Sequence, residues 1–242
     1  MMRAFRALRG LWPRLIHRHR VTSLTVIGLP VALVLVMVGT AGCETRPSLS
    51  VGSRGSYVTT LQQRLLALHY DLGSASGVFE SQTLHAVVAF QKVNGLGRDG
   101  VVGPATWAKL DRPYVPRPHV PMTLSALEVD LTRQVVYLTY LGTVTRIIDA
   151  SSGNGQLYWS GGWQRAVTPV GNFHVYSTYN GWQNGLLGAL YRPAYFIGGF
   201  AVHGSPSVPP APASHGCVRV TVPSMDRLWP FIWYGMSVSL YY

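Results

Sequence analysis

At 242 residues, 48% of them hydrophobic and only 12% charged, the chain has the length of two small domains rather than one large one. Its formal charge of +11 is uneven, because six arginines precede residue 21 and leave 14 basic against 9 acidic residues, or +5, on the rest. That basic remainder suits an anionic polymer or a membrane surface; nothing in it resembles a nucleic-acid motif.

The first 20 residues carry Arg3, Arg6, Arg9, Arg14, Arg18 and Arg20 and no acid. Residues 21–42 then run without a charged side chain, long enough as a helix to cross a hydrocarbon core of ~30 Å. A buried core helix, the plain alternative, ordinarily keeps a polar face. Residues 1–43 are therefore expected to be an export or anchor segment, with the arginines inside and the rest of the chain on the outer face of the cytoplasmic membrane. The run closes on Thr40, Ala41, Gly42 and Cys43, which resembles a bacterial lipoprotein signal with Thr40 where an aliphatic residue is usual. The resemblance implies lipid attachment at Cys43; an uncleaved signal anchor is the other reading. Either way Cys217, the second of two cysteines, has no partner for a disulfide in a compartment that permits one.

Residues 44–50 read as a short polar linker, and residues 51–110 as a small helical domain. Val58, Leu61, Leu65, Leu66 and Leu68 form one helical pattern, and Leu84, Ala86, Val87, Val88 and Phe90 a second. A glycine stop is expected after each, and Pro104 opens a third short helix that carries Trp107. An ordered string through this segment resembles the three-helix peptidoglycan-binding module: Gly52, Gly55, Leu61, Gln62, Gly77, Phe79, Phe90, Gln91, Asp99, Gly100 and Trp107 are among its members. The resemblance implies a glycan-binding partner, with Glu80 standing where that family usually has a small residue.

Residues 111–123 hold four prolines and are expected to be an extended spacer between domains. From residue 124 onward the period changes to two. Leu127 to Leu131 and Val135 to Tyr140, with a turn at Gly142, read as the first strands of an antiparallel sheet, followed by a glycine-rich, aromatic stretch that includes Trp159, Trp163 and Trp182. The expectation is a multidomain chain whose second domain, residues 124–242, is a mainly β sandwich or barrel. Most of its aromatics are assigned to the core, although such rings also line sugar-binding grooves.

The chemistry-bearing residues come near the end. His203 and Gly204 follow an apolar run, and Ser214, His215, Gly216, Cys217 and Arg219 follow after a loop at residues 205–212 stiffened by four prolines. An imidazole can take the proton of a thiol and free it to attack a carbonyl, while a glycine beside the nucleophile lets backbone N–H groups face an oxyanion. A structural cysteine near two core histidines, and a zinc site of His203, His215 and Cys217, are alternatives that spacing leaves open.

The spacing of these two motifs closely resembles the signature of the L,D-transpeptidase (YkuD-type) catalytic domain. Thr168, Pro169, Gly171 and Phe173, and Ser151 with Gly153, match two further segments of it. The resemblance implies Cys217 as nucleophile, His203 as its base and the Gly204 carbonyl as the acceptor orienting that base. It further implies His215 and the Gly216 and Cys217 amides at the oxyanion or substrate, Ser214 as support for the loop, and Arg219 on a stem-peptide carboxylate, a surface ion pair being the plain alternative for Arg219. No metal or organic cofactor is implied. The expected reaction is a thioester-mediated transfer between peptidoglycan stem peptides that makes 3→3 cross-links. An L,D-carboxypeptidase using water on the same thioester, and a non-catalytic wall-binding protein, are the rivals. Carbapenem-type inhibitors are expected to acylate Cys217.

Overall fold

The computed structural model describes residues 46–120 and 125–242, so Cys43 and the expected export segment lie outside the described residues. Among the described residues no helix is long and apolar enough to cross a membrane.

Three helices come first: α1 (Ser56–Ala67), α2 (Ser81–Val93) and α3 (Pro104–Asp111). Val58, Leu61 and Leu65, three and four apart, form the buried stripe of α1, and Phe79, Phe90, Val102 and Trp107 fill the space between the helices. Gly95, with φ 69, ends α2 as expected. The stop of α1 is not glycine. His69 takes the left-handed conformation, with φ 67, because its carbonyl is held there by the Ile147 N–H at 2.8 Å.

The β part follows as β1 (Ser125–Asp130), β2 (Val135–Tyr140), β3 (Thr143–Asp149), β4 (Leu157–Trp159), β5 (Trp163–Arg165), β6 (Gly171–His174), β7 (Ser177–Thr178), β8 (Trp182–Gly185), β9 (Gly188–Ile197), β10 (Phe200–Ser205), β11 (Val218–Thr221), helix α4 (Val222–Leu228) and β12 (Ser237–Tyr241). One sheet has the order β3-β2-β1-β12-β6, and the other β11-β10-β9-β7 with β8 also on β9. The β1–β12 and β10–β11 pairs are parallel and the remainder antiparallel, so the sandwich is mixed where a wholly antiparallel first sheet was expected. Leu127, Val136 and Ile148 of the first sheet meet Phe196, Val202 and Val218 of the second, with Met225 and Leu228 of α4 closing the core.

β2 carries the two halves of the chain on its two faces. Val136 and Leu138 point into the sandwich, whereas Val135 and Tyr137, with Val144 and Ile147 of β3, belong to the same core as the helices. Residues 69–71 also pair with the outer edge of β3, Asp71 N–H donating to Ile147 O at 2.9 Å, which covers a sheet edge that would otherwise be open. The spacer reading of the proline-rich linker needs correction accordingly. Its His119 and Val120 amides donate to the Glu128 carboxylate, and His119 stacks on Tyr241 with ring centroids 4.0 Å apart. Proline content fixed the local conformation, while the apolar outer face of β2 and β3 decided that the helices dock.

Two ionic centres lock this junction. Lys92, its side chain fully buried, gives its three protons to Asp149 Oδ1 at 2.5 Å, Gln134 O at 3.0 Å and Ala150 O at 2.8 Å. His85 reaches the other Asp149 oxygen at 2.6 Å. Asp71 pairs with Arg146 and Arg227, each at 2.6 Å. Burial alone would raise the Asp71 carboxyl, but the hydrogen bonds and charge of Arg227, with help from Ser224 and Arg146, hold it below its usual range.

Candidate active site

β10 and β11 lie side by side in parallel, Val202 opposite Val218 and His203 opposite Arg219. Since side chains alternate, the same register that buries Val202, Val218 and Val220 in the core turns His203, Arg219 and the adjoining Cys217 to the other face. That face lines a cavity of about 510 Å³. Tyr158 and Gln164 of the β4–β5 hairpin form part of its wall, and Trp182 with Leu187 to Leu190 of the β8–β9 hairpin another.

His203 is 5% exposed, and its Nδ1 lies 2.9 Å from Gly204 O. A carbonyl can only accept, so Nδ1 carries the proton and Nε2 keeps its lone pair. Burial, aided by the charge of Arg219 and resisted by the Gly204 hydrogen bond, lowers the imidazole from 6.5 to about 4. Burial also pushes the Cys217 thiol up, against the Ala201 backbone and Arg219, which favour the thiolate. Burial thus favours the neutral form of each group, the thiol and the imidazole alike. Gly204 cannot be replaced without disturbing this arrangement, since a Cβ there would come within 2.9 Å of Tyr191 and 3.1 Å of Met225.

The loop before β11 is held by its neighbours. Ser151 and Arg219 exchange backbone hydrogen bonds, and the Ala213 and Ser214 amides both donate to Ser152 O at 2.9 Å. Ser152 is itself fixed by Gln134, whose side chain bonds its N–H and its hydroxyl, each at 2.7 Å. Ser214 Oγ accepts from Gly216 N–H at 3.0 Å and donates to Cys217 O at 2.5 Å. The Gly216 amide, expected at the oxyanion, is thus committed within the loop, because the serine hydroxyl offers it an acceptor two residues back. Thr168 Oγ1 donates to Gly216 O at 2.8 Å and accepts from Gly153 N–H at 2.9 Å, so three sequence segments meet at one hydroxyl.

His215 lines the cavity and sets its ring edge-on to Tyr158, with centroids 4.8 Å apart. Among the described residues Arg219 makes no ion pair, which leaves its charge to the cavity that it lines. His203, Gly204, Ser214, His215, Gly216, Cys217 and Arg219 are therefore brought together, while Cys43 lies outside the described residues. Sequence reasoning missed Gln134 and Tyr158, since no local pattern marks a residue whose partner is distant in sequence, and its assignment of most aromatics to the core fails for Trp159, Trp163 and Trp182, which are exposed, Trp182 on the cavity wall. Among the described residues no three His, Cys, Asp or Glu side chains form a group able to hold a metal ion.

Comparison with known proteins places these features in context. Residues 54–110 match the family model of a putative peptidoglycan binding domain, and residues 125–240 that of the L,D-transpeptidase catalytic domain. A crystallised L,D-transpeptidase from Xylanimonas cellulosilytica is 46% identical, covering 81% of this chain and 98% of that one, with a TM-score of 0.78. Curated relatives match over shorter stretches. An uncharacterized protein of the bpoA1 3' region of Kitasatospora aureofaciens is 46% identical over 68 residues, and the N-acetylmuramoyl-L-alanine amidase CwlL of Bacillus licheniformis 45% over 65. These matches cover 28% and 26% of this chain, and 58% and 18% of the relatives' own lengths.

Proposed function

Because this chain belongs to the L,D-transpeptidase family, we propose that it is a cysteine-dependent acyltransferase that joins peptidoglycan stem peptides by 3→3 cross-links. The observation that carries the reading is that Cys217 and His203 line one cavity, with His203 Nδ1 committed to the Gly204 carbonyl so that Nε2 is left to accept a proton. The Cys217 sulfur attacks the carbonyl carbon of the third stem residue while its proton passes to His203 Nε2. The bond to the terminal D-alanine breaks, and its nitrogen leaves with that proton. An amine of a neighbouring stem then attacks the thioester, gives a proton to His203, and the returning proton restores the thiol. Arg219 meets a carboxylate of the stem, and the three-helix part holds the wall polymer. Residues 1–43 would keep the chain at the outer face of the membrane, through a lipid on Cys43 or as an uncleaved anchor.

Incubating the purified protein with wall fragments and analysing the products by mass spectrometry tests the reaction. Cross-linked dimers lacking one D-alanine are expected, and none with Cys217→Ala. Tripeptide stems without dimers would replace the transferase by a carboxypeptidase. Appreciable turnover in Cys217→Ala would end the thiol mechanism.

A further inference from the structure

Thr168 is 3% exposed and does not line the cavity. Its hydroxyl has one proton to give and gives it to Gly216 O, 48 positions away in sequence, while its oxygen accepts from Gly153 N–H. Both directions of the hydroxyl are therefore fixed. A trans peptide is planar, with its C=O and the following N–H pointing opposite ways. Drawing Gly216 O toward buried Thr168 thus turns the Cys217 N–H away from Thr168, on a residue that lines the cavity where Thr168 does not. Gly216 allows the geometry, having φ +133 at a point where a Cβ would lie 2.4 Å from Phe200. Ser214 ties down the N–H before this peptide unit and the C=O after it.

We propose that Thr168 is a positioning residue whose hydroxyl aims the Cys217 N–H at the carbonyl oxygen under attack. The inference rests on the acyl-transfer reading above. When Cys217 Sγ bonds to a β-lactam carbonyl carbon and its proton goes to His203, an electron pair moves onto the carbonyl oxygen, where the aimed N–H meets it. As the ring C–N bond breaks, that pair returns to the carbonyl and the ring nitrogen takes the proton from His203. Iodoacetamide reacts differently with the same thiol. Its sulfur attack displaces iodide at a saturated carbon, and no oxyanion forms.

The full chain is used for the test, with acylation by imipenem and alkylation by iodoacetamide followed in parallel by the mass of the peptide that carries Cys217, which keeps any reaction at Cys43 apart. Thr168→Val keeps the shape and removes the hydroxyl, whereas Thr168→Ser keeps the hydroxyl. Thr168→Val is expected to slow acylation by about tenfold to a hundredfold, at or below the loss from deleting an oxyanion donor outright, with alkylation changed by less than about twofold. Thr168→Ser should acylate nearly as fast as the wild type. Acylation of Thr168→Val at the wild-type rate overturns the proposal, and so does an equal fall in both reactions, which would make Thr168 merely structural. Should Thr168→Val fail to fold, Thr168→Ala removes the same hydroxyl with less bulk and is read in the same way. Wild-type protein that is alkylated by iodoacetamide yet never acylated would instead sink the acyl-transfer reading, which keeps the two failures apart.

Discussion

His203 sits in a buried site, and this makes it a source of acid sensitivity beside the proposed role as a base. In the unfolded chain an imidazole titrates near 6.5, while in the folded protein burial lowers it to about 4. Between those values the unfolded state binds a proton that the native state refuses, so stability is lost as the pH falls from 6.5 to 4 and changes no further below. The loss attributable to this residue is up to about 3 kcal/mol. Urea unfolding at pH 7 and pH 4 should therefore show a smaller acid loss for His203→Gln than for the wild type, and equal losses would refute the depressed value. The acid limb of kcat/KM should likewise fall well below the ordinary histidine range. At this scale the sequence was informative where chemistry is local: His203, Cys217 and Arg219 stand on one face because side chains alternate along paired strands, and Gly204, which falls on the other face, takes part through its backbone carbonyl. The commitment of the Gly216 amide to Ser214 was not visible, because it depends on a loop conformation.

At the scale of elements, α2 meets β3 through a lysine that no sequence pattern singles out. Lys92 and Asp149 are 57 positions apart, and each reads by itself as an ordinary surface charge. Burial pushes the Lys92 ammonium down and Asp149 pulls it back up, so the pair survives as a unit. Lys92→Met should destabilise the protein by about 3–5 kcal/mol, because it strips a buried carboxylate of its main partner. Lys92→Met combined with Asp149→Leu should recover most of that loss, as measured by chemical unfolding; additive losses in the double variant would show that the charges do not interact. The helices themselves were legible from their apolar stripes, and so were β1, β2 and the β2–β3 turn. The parallel partner of β1 was not, since β12 lies at the far end of the sequence and strand alternation says nothing about who pairs with whom.

For the whole molecule, the shared core predicts a single cooperative unfolding transition for residues 46–242, since Val135, Tyr137, Val144 and Ile147 are buried only when the helices are in place. Calorimetry should show one peak, and two separated peaks would contradict it. Residues 125–242 alone should be poorly soluble, because those side chains and the outer edge of β3 would face water. Composition and the change of period from helix to strand revealed two parts, but a proline-rich stretch was a poor guide to whether they touch. Their contact has a consequence for work on a long polymer. On the proposed activity, α1–α3 and Cys217 behave like the two jaws of a gauge whose opening is cast in the metal. Bonds laid down around one attachment would recur at an interval set by the dimensions of the protein, and lengthening the stretch at residues 111–120 would leave that interval unchanged.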